Sequence, residues 1–206
     1  MLQTLLDYFR ATSALELLAV ALAIAYLLLA IRASAWCWPA AFASSALYVY
    51  VFGGARLYMD AVLNLFFAAM AVYGWYEWRY GGPGHGSLPI TRASRRVHCL
   101  ALATILALTA ISGSVLGRYT NQAWPYVDSF IAWSSVVTTW LTARKYLENW
   151  LYWIVIDLIA VPVYVNRHLR VTAMLFALYV LLSLAGWRNW QRAYGERAAG
   201  ALAPSP

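Results

Sequence analysis

Apolar residues in this chain collect in long runs, and charged residues collect between them. Seven runs are predicted as helices, at 14–31, 36–52, 57–78, 97–116, 129–142, 150–165 and 172–187. A helix crossing a hydrocarbon core about 30 Å thick needs roughly 20 apolar residues. In lipid it must also satisfy its own backbone hydrogen bonds. The pattern therefore predicts an all-α membrane protein with seven transmembrane helices. The second, fifth and sixth runs are shorter than a full span and lean on Trp, Tyr and Thr at their ends, so their assignment rests on the loops and the repeat described next. The first run precedes Ala33-Ser34-Ala35, which looks like a signal-peptide cleavage site. Asp7, Arg10 and Glu16 leave no positive n-region, however, and the run is too long for an h-region, so it is read as a helix.

An internal repeat organises these segments. Gly74-Trp75-Tyr76-Glu77-Trp78 closes the third run and Gly186-Trp187-Arg188-Asn189-Trp190 closes the seventh, an offset of 112. The same offset carries Trp38 onto Trp150, both near the start of a run, and Glu16 onto Asp128, both acids just before one. Four helices separate the matched positions, so the two three-helix units, 14–78 and 129–190, share one topology and 97–116 connects them. This is a parallel 3+1+3 repeat within a single transmembrane transporter domain over 1–206, an arrangement common among transporters.

Charge sets the expected orientation. Of the 15 Lys and Arg residues, ten fall in one set of alternate loops and termini and five in the other. Cytoplasmic loops retain positive charge, so the N-terminus is expected outside and the C-terminus inside. The net charge of +7 follows from that topology. It implies no nucleic acid, because the Arg residues sit between apolar runs and form no stripe on a soluble fold. The longest loop, 79–96, holds Gly-Gly-Pro-Gly-His-Gly and then a basic cluster, and reads as a flexible cytoplasmic linker. The tail at 195–206 reads as disordered. Cys37, Cys99, His85, His98 and His168 show neither disulfide nor metal-ligand spacing and are read as structurally incidental, with no cofactor implied.

Chemistry concentrates at the start of the sixth run. Asn149, Trp153 and Asp157 are spaced i, i+4, i+8, with Trp150 beside them, so all four fit one broad helix face. Such a face offers indoles for a planar aromatic solute to stack on and polar groups to hydrogen-bond it. A cationic ring gains further from the indole quadrupole. Asp157 lies roughly 12 Å into its run, where a carboxylate marks either a solute pathway or a paired structural role. Asn64, Thr138 and Thr139 are further deep polar groups, although a Thr can satisfy itself on its own helix carbonyl. Trp36, Trp75, Trp78, Trp187 and Trp190 read as an interfacial aromatic belt. Asp60 and Glu16, near the outer ends of their runs, read as caps or anchors. No nucleotide-binding loop, zinc motif or nucleophile with a positioned base is present, so no enzyme is expected.

Several motifs together resemble the PnuC family of bacterial vitamin transporters. They are Ala35-Trp36-Cys37-Trp38-Pro39 followed by Ser44-Ser45-Ala46-Leu47-Tyr48; Tyr73-Gly74-Trp75-Tyr76-Glu77-Trp78; and the run from Arg144 to Trp153, followed by Asp157 and Pro162-Val163-Tyr164. The resemblance covers about 17–190. It implies a trimeric, SWEET-like, seven-helix carrier of the inner membrane. Such a carrier moves nicotinamide riboside by facilitated diffusion, and phosphorylation in the cytoplasm traps the product. Relatives that carry thiamine, riboflavin or deoxynucleosides keep thiamine open as an alternative cargo, and Asp157 keeps a proton-coupled symporter open as an alternative mechanism. Matching positions implicate Asn149, Trp150, Tyr152 and Trp153 in substrate binding. Trp38, the repeat partner of Trp150, joins that set with Asp157, Asn64, Thr138 and Thr139. Many members have Gln at the position of Asn64 and an Ala-Gln pair at Thr138-Thr139, changes that bear on which substrate is carried.

Overall fold

The computed structural model describes residues 14–202. Among them are seven α-helices: α1 (Ala14–Ile31), α2 (Cys37–Gly54), α3 (Tyr58–Tyr80), α4 (Arg95–Tyr119), α5 (Pro125–Ala143), α6 (Asn149–Asn166) and α7 (Arg170–Leu202). Each expected run is a helix, and the ends differ for chemical reasons. α4 starts two residues before the apolar run because the Ser94 hydroxyl caps it, accepting from the Val97 backbone N–H at 3.4 Å. α5 starts at Pro125, which suits a first helical turn because its missing N–H would be unpaired there anyway. The tail expected to be unstructured from Gly195 is helical as far as Leu202; positions 203–206 and the Glu16 side chain lie outside the described residues.

By length and composition, four stretches among the described residues suffice to cross a membrane: α3, α4, α6 and the Arg170–Arg197 part of α7. α1 adds a shorter apolar stretch, Leu17–Ile31. α2 and α5 are diluted by Ser, Thr, Trp and Tyr. Side chains are distributed as in a protein bathed in lipid. Large aliphatics such as Leu65, Leu100, Leu106, Ile111 and Leu181 point outward, whereas small residues are frequent in the interior, including Ala19, Ala30, Ala68, Ala101, Ala160 and Ser183. Lipid supplies no hydrophobic drive for helix association, so small residues that let backbones approach do that work.

The chain forms two compact units, up to Pro89 and from Ile90. In the first, α2 packs on both α1 and α3. Ser44 Oγ donates to the Ala19 carbonyl at 2.8 Å, tying α2 to α1. In the second, α4 packs on α5, α5 on α6, and α6 on α7. Trp133 Nε1 donates to Ser112 Oγ at 3.0 Å, and the Tyr126 ring lies over Gly113, fastening α5 to α4.

The offset of 112 recurs in the backbone. Ala33 and Lys145 both take a left-handed φ, at 52° and 56°, and so do Arg56 and His168, at 59° and 60°. The helix-closing bond from Ser34 N–H to Leu29 C=O is matched by Tyr146 N–H to Leu141 C=O, and Leu57 N–H to Phe52 C=O by Leu169 N–H to Tyr164 C=O. Side chains follow. Trp38 lies on Gly74 and meets Trp78 edge-on (5.4 Å, 87°); Trp150 lies on Gly186 and meets Trp190 edge-on (5.5 Å, 89°). Four of the matched tryptophans are therefore packing elements. Trp78 and Trp190 are fully buried, which corrects the belt reading for those two, while Trp36 remains 62% exposed as a belt residue would be.

Much of the loop expected to be a flexible linker is held by backbone bonds. Leu88 N–H returns to the Trp78 carbonyl at the end of α3. In the second unit, Thr91 pairs with the α5–α6 loop, donating to the Lys145 carbonyl at 3.2 Å and accepting from Leu147 N–H at 2.8 Å.

Candidate substrate site

The loop between α5 and α6 places the site. Thr142, one residue before the end of α5, and Asn149, the first residue of α6, face each other across it, with Thr142 Oγ1 and Asn149 Oδ1 3.1 Å apart. The Thr142 hydroxyl also reaches the Thr138 carbonyl at 2.9 Å and accepts from Trp153 Nε1 at 3.3 Å. Asn149 Nδ2 donates to the Tyr146 carbonyl at 2.6 Å, closing the loop onto the helix start. Asn149 is wholly buried and Trp153 half-buried. One hydroxyl thus sets both the amide and the indole. Thr142 is not among the residues expected from sequence; its i+4 spacing from Thr138 is the signal that marks it.

The remaining candidates divide. Trp150 turns away from Thr142, onto Gly186 of α7, and its buried indole N–H has no partner among the described residues. Trp38 does the same in the first unit, on Gly74. Tyr152 faces α4, where its hydroxyl lies 2.9 Å from His98 Nδ1 and the two rings stack in parallel. His98, read as incidental, is therefore a contact of a candidate site residue. Ala93 N–H donates to the Glu148 carboxylate at 2.9 Å, fixing the approach to α6 from the same side.

Asp157 is buried and has neither a hydrogen bond nor an ion pair among the described residues. Thr139 satisfies itself on the Ser135 carbonyl at 2.7 Å, whereas Thr138 is fully buried with its hydroxyl unpaired. Asn64 lies in the first unit, half-buried, with its amide donating to the Asp60 carbonyl of its own helix at 2.9 Å. The described residues contain no group of three or more His, Cys, Asp or Glu able to hold a metal ion. The second unit thus combines a half-buried indole, a buried amide, a buried carboxylate and unpaired hydroxyls, which suits stacking and hydrogen-bonding of a polar aromatic solute.

Comparison with known proteins assigns the chain to a family. Residues 13–192 match the family model described as nicotinamide mononucleotide transporter. Among curated relatives, the riboflavin/roseoflavin transporter RibM of Streptomyces davaonensis is 28% identical over 167 residues, covering 80% of this chain and 78% of RibM. The nicotinamide riboside transporter PnuC of Escherichia coli is 27% identical over 181 residues, covering 76% of each chain. The crystal structure of the vitamin B3 transporter PnuC superposes with a TM-score of 0.71 at 20% identity, over 95% of this chain and 88% of that one, so the two share a fold. With its several membrane-capable helices, the chain is a multi-pass membrane protein belonging to the nicotinamide mononucleotide transporter family, the PnuC family of vitamin transporters.

Proposed function

We propose that this protein imports nicotinamide riboside across the bacterial inner membrane by facilitated diffusion, with phosphorylation in the cytoplasm trapping the product. The observation that carries the reading is the Thr142 hydroxyl, which orients Asn149 and Trp153 together: an amide to hydrogen-bond a carboxamide and an indole to stack on a pyridinium. In this reading all seven helices span, with the N-terminus outside and the C-terminus cytoplasmic, as the distribution of Lys and Arg supports. The matched backbone bonds at offset 112 support a parallel 3+1+3, SWEET-like repeat in which α4 is the connector. Likeness to the family supports a homotrimer embedded in lipid.

Uptake of labelled nicotinamide riboside into proteoliposomes tests the proposal. It should saturate, ignore an imposed proton gradient, and fall at least tenfold in Trp153→Ala. Riboflavin is the second cargo to try, because RibM matches this chain as well as PnuC does; thiamine completes the panel. Strong uptake of one of these with none of the riboside would reassign the substrate. Acceleration by an inward proton gradient, abolished in Asp157→Asn, would replace facilitated diffusion with proton symport.

A further inference from the structure

Ser134 (2% exposed), Thr138 (0%) and Asp157 (3%) are among the polar side chains of the second unit that are more than nine-tenths buried and have no partner among the described residues; Ser129 (4%), nearer the start of α5, is another. A remedy lies within α5 and its neighbours use it. Ser135 donates to the Ile131 carbonyl at 2.8 Å and Thr139 to the Ser135 carbonyl at 2.7 Å. Ser134 and Thr138 forgo that bond and keep their hydroxyls free. Buried polar groups are almost always paired, so unpaired ones in a native fold call for a partner that is absent.

Helix register brings Ser134, Thr138 and Asp157 to neighbouring levels. α5 and α6 run antiparallel from the Thr142–Asn149 contact. Eight residues back along α5 from Thr142 is Ser134, and eight forward along α6 from Asn149 is Asp157, each roughly 12 Å at 1.5 Å per residue. Four residues along each gives Thr138 and Trp153. Levels therefore succeed one another from the loop inward: Thr142 with Asn149, Thr138 with Trp153, and Ser134 with Asp157. By this count the unpaired hydroxyls lie at the depths of Trp153 and of Asp157 along the two helices.

A partner for this set must donate to a carboxylate and exchange hydrogen bonds with two hydroxyls, while joined to something that reaches Trp153. One carboxylate and two hydroxyls fall short of the six to eight oxygens of a calcium site. They match the vicinal hydroxyls of a pentose, whose two O–H groups can each donate to one carboxylate oxygen. Resting on the transport reading above, we infer that Ser134, Thr138 and Asp157 form the subsite for the hydroxyl groups of the substrate's five-carbon sugar or sugar-alcohol portion, with its ring on Trp153.

Calorimetric binding to the purified full-length protein, using two matched ligand pairs, tests this. One pair is nicotinamide riboside and its 2′-deoxyriboside; the other is riboflavin and lumiflavin, which carries a methyl group in place of the hydroxylated chain. For whichever pair binds, wild type should favour the more hydroxylated member by about tenfold or more, as for hydrogen bonds to a buried charge. That preference should fall toward one in Asp157→Asn, Thr138→Val and Ser134→Ala and survive in Thr138→Ser, which keeps the hydroxyl. Trp153→Ala should weaken both members alike. A wild-type preference near one, or a preference unchanged in all three variants, overturns the subsite while leaving the transport reading in place. Failure of wild type to bind either pair overturns both.

Discussion

Replacing Gly186 by Ala places a methyl group where the Trp150 ring already lies. An ideal Cβ there falls 2.6 Å from Cδ2, Cε2 and Cε3 of that indole. Carbon atoms in contact settle at about 3.5–4.0 Å, so the ring or the helix must retreat by about 1 Å. The indole has little room, because it is 1% exposed and lies edge-on to Trp190. Overpacking of this kind costs about 1–3 kcal/mol, and three clashing ring atoms put this case near the upper end. Ala is the better helix former by about 1 kcal/mol, leaving a net loss of about 2 kcal/mol. At about 2–4 °C per kcal/mol for a chain of this size, the midpoint of thermal unfolding in detergent should fall by about 4–8 °C. Gly74→Ala should behave alike, since its Cβ meets the Trp38 ring at the matched position. Gly53→Ala and Gly54→Ala, whose Cβ atoms would meet nothing within 4 Å, should be neutral or slightly stabilising. Adding Trp150→Leu to Gly186→Ala should cost less than the sum of the single changes, because a smaller side chain relieves the clash. Unchanged midpoints in both Gly186→Ala and Gly74→Ala would refute the claim that these glycines exist to seat the indoles.

Other outcomes follow from individual contacts. Thr142→Val removes the hydroxyl shared by Asn149 and Trp153 and should weaken substrate binding by about tenfold, in line with the loss of a buried hydrogen bond; Thr142→Ser should restore most of it. Arg167 pairs with Asp128 through one guanidinium nitrogen at 2.7 and 2.9 Å, but both side chains are partly exposed. Arg167→Ala should therefore lower stability by less than about 1 kcal/mol, measured by thermal unfolding. His98→Ala deletes the stacking and hydrogen-bonding partner of Tyr152. If Tyr152 helps shape the site, this change should alter the KM of uptake, whereas His98→Gln, which can still reach the phenol, should alter it less.

The helices were legible in the sequence, and so was a motif that returns at a fixed spacing. Both are local or periodic signals: apolar runs, three of them shorter than a full span, and a G-W-x-x-W motif returning at an offset of 112 with Trp38 and Trp150 in step. The Asn149–Trp153–Asp157 face was also legible, because i, i+4 spacing alone puts residues on one side of a helix. Which polar group each side chain meets depends on the packing of the helices. Thr138 and Thr139 are adjacent and identical in type, yet one is self-satisfied and the other buried and unpaired. Trp150 and Trp153 share one broad helix face in the sequence, yet the Trp150 ring lies on Gly186 of α7 while Trp153 reaches Thr142 of α5. Thr142 and His98 gained their roles from partners 7 and 54 residues away in the chain. Periodicity assigns a residue to a face, whereas the neighbour across that face depends on how helices rotate and cross as small residues let them approach, and a single sequence carries no direct record of that.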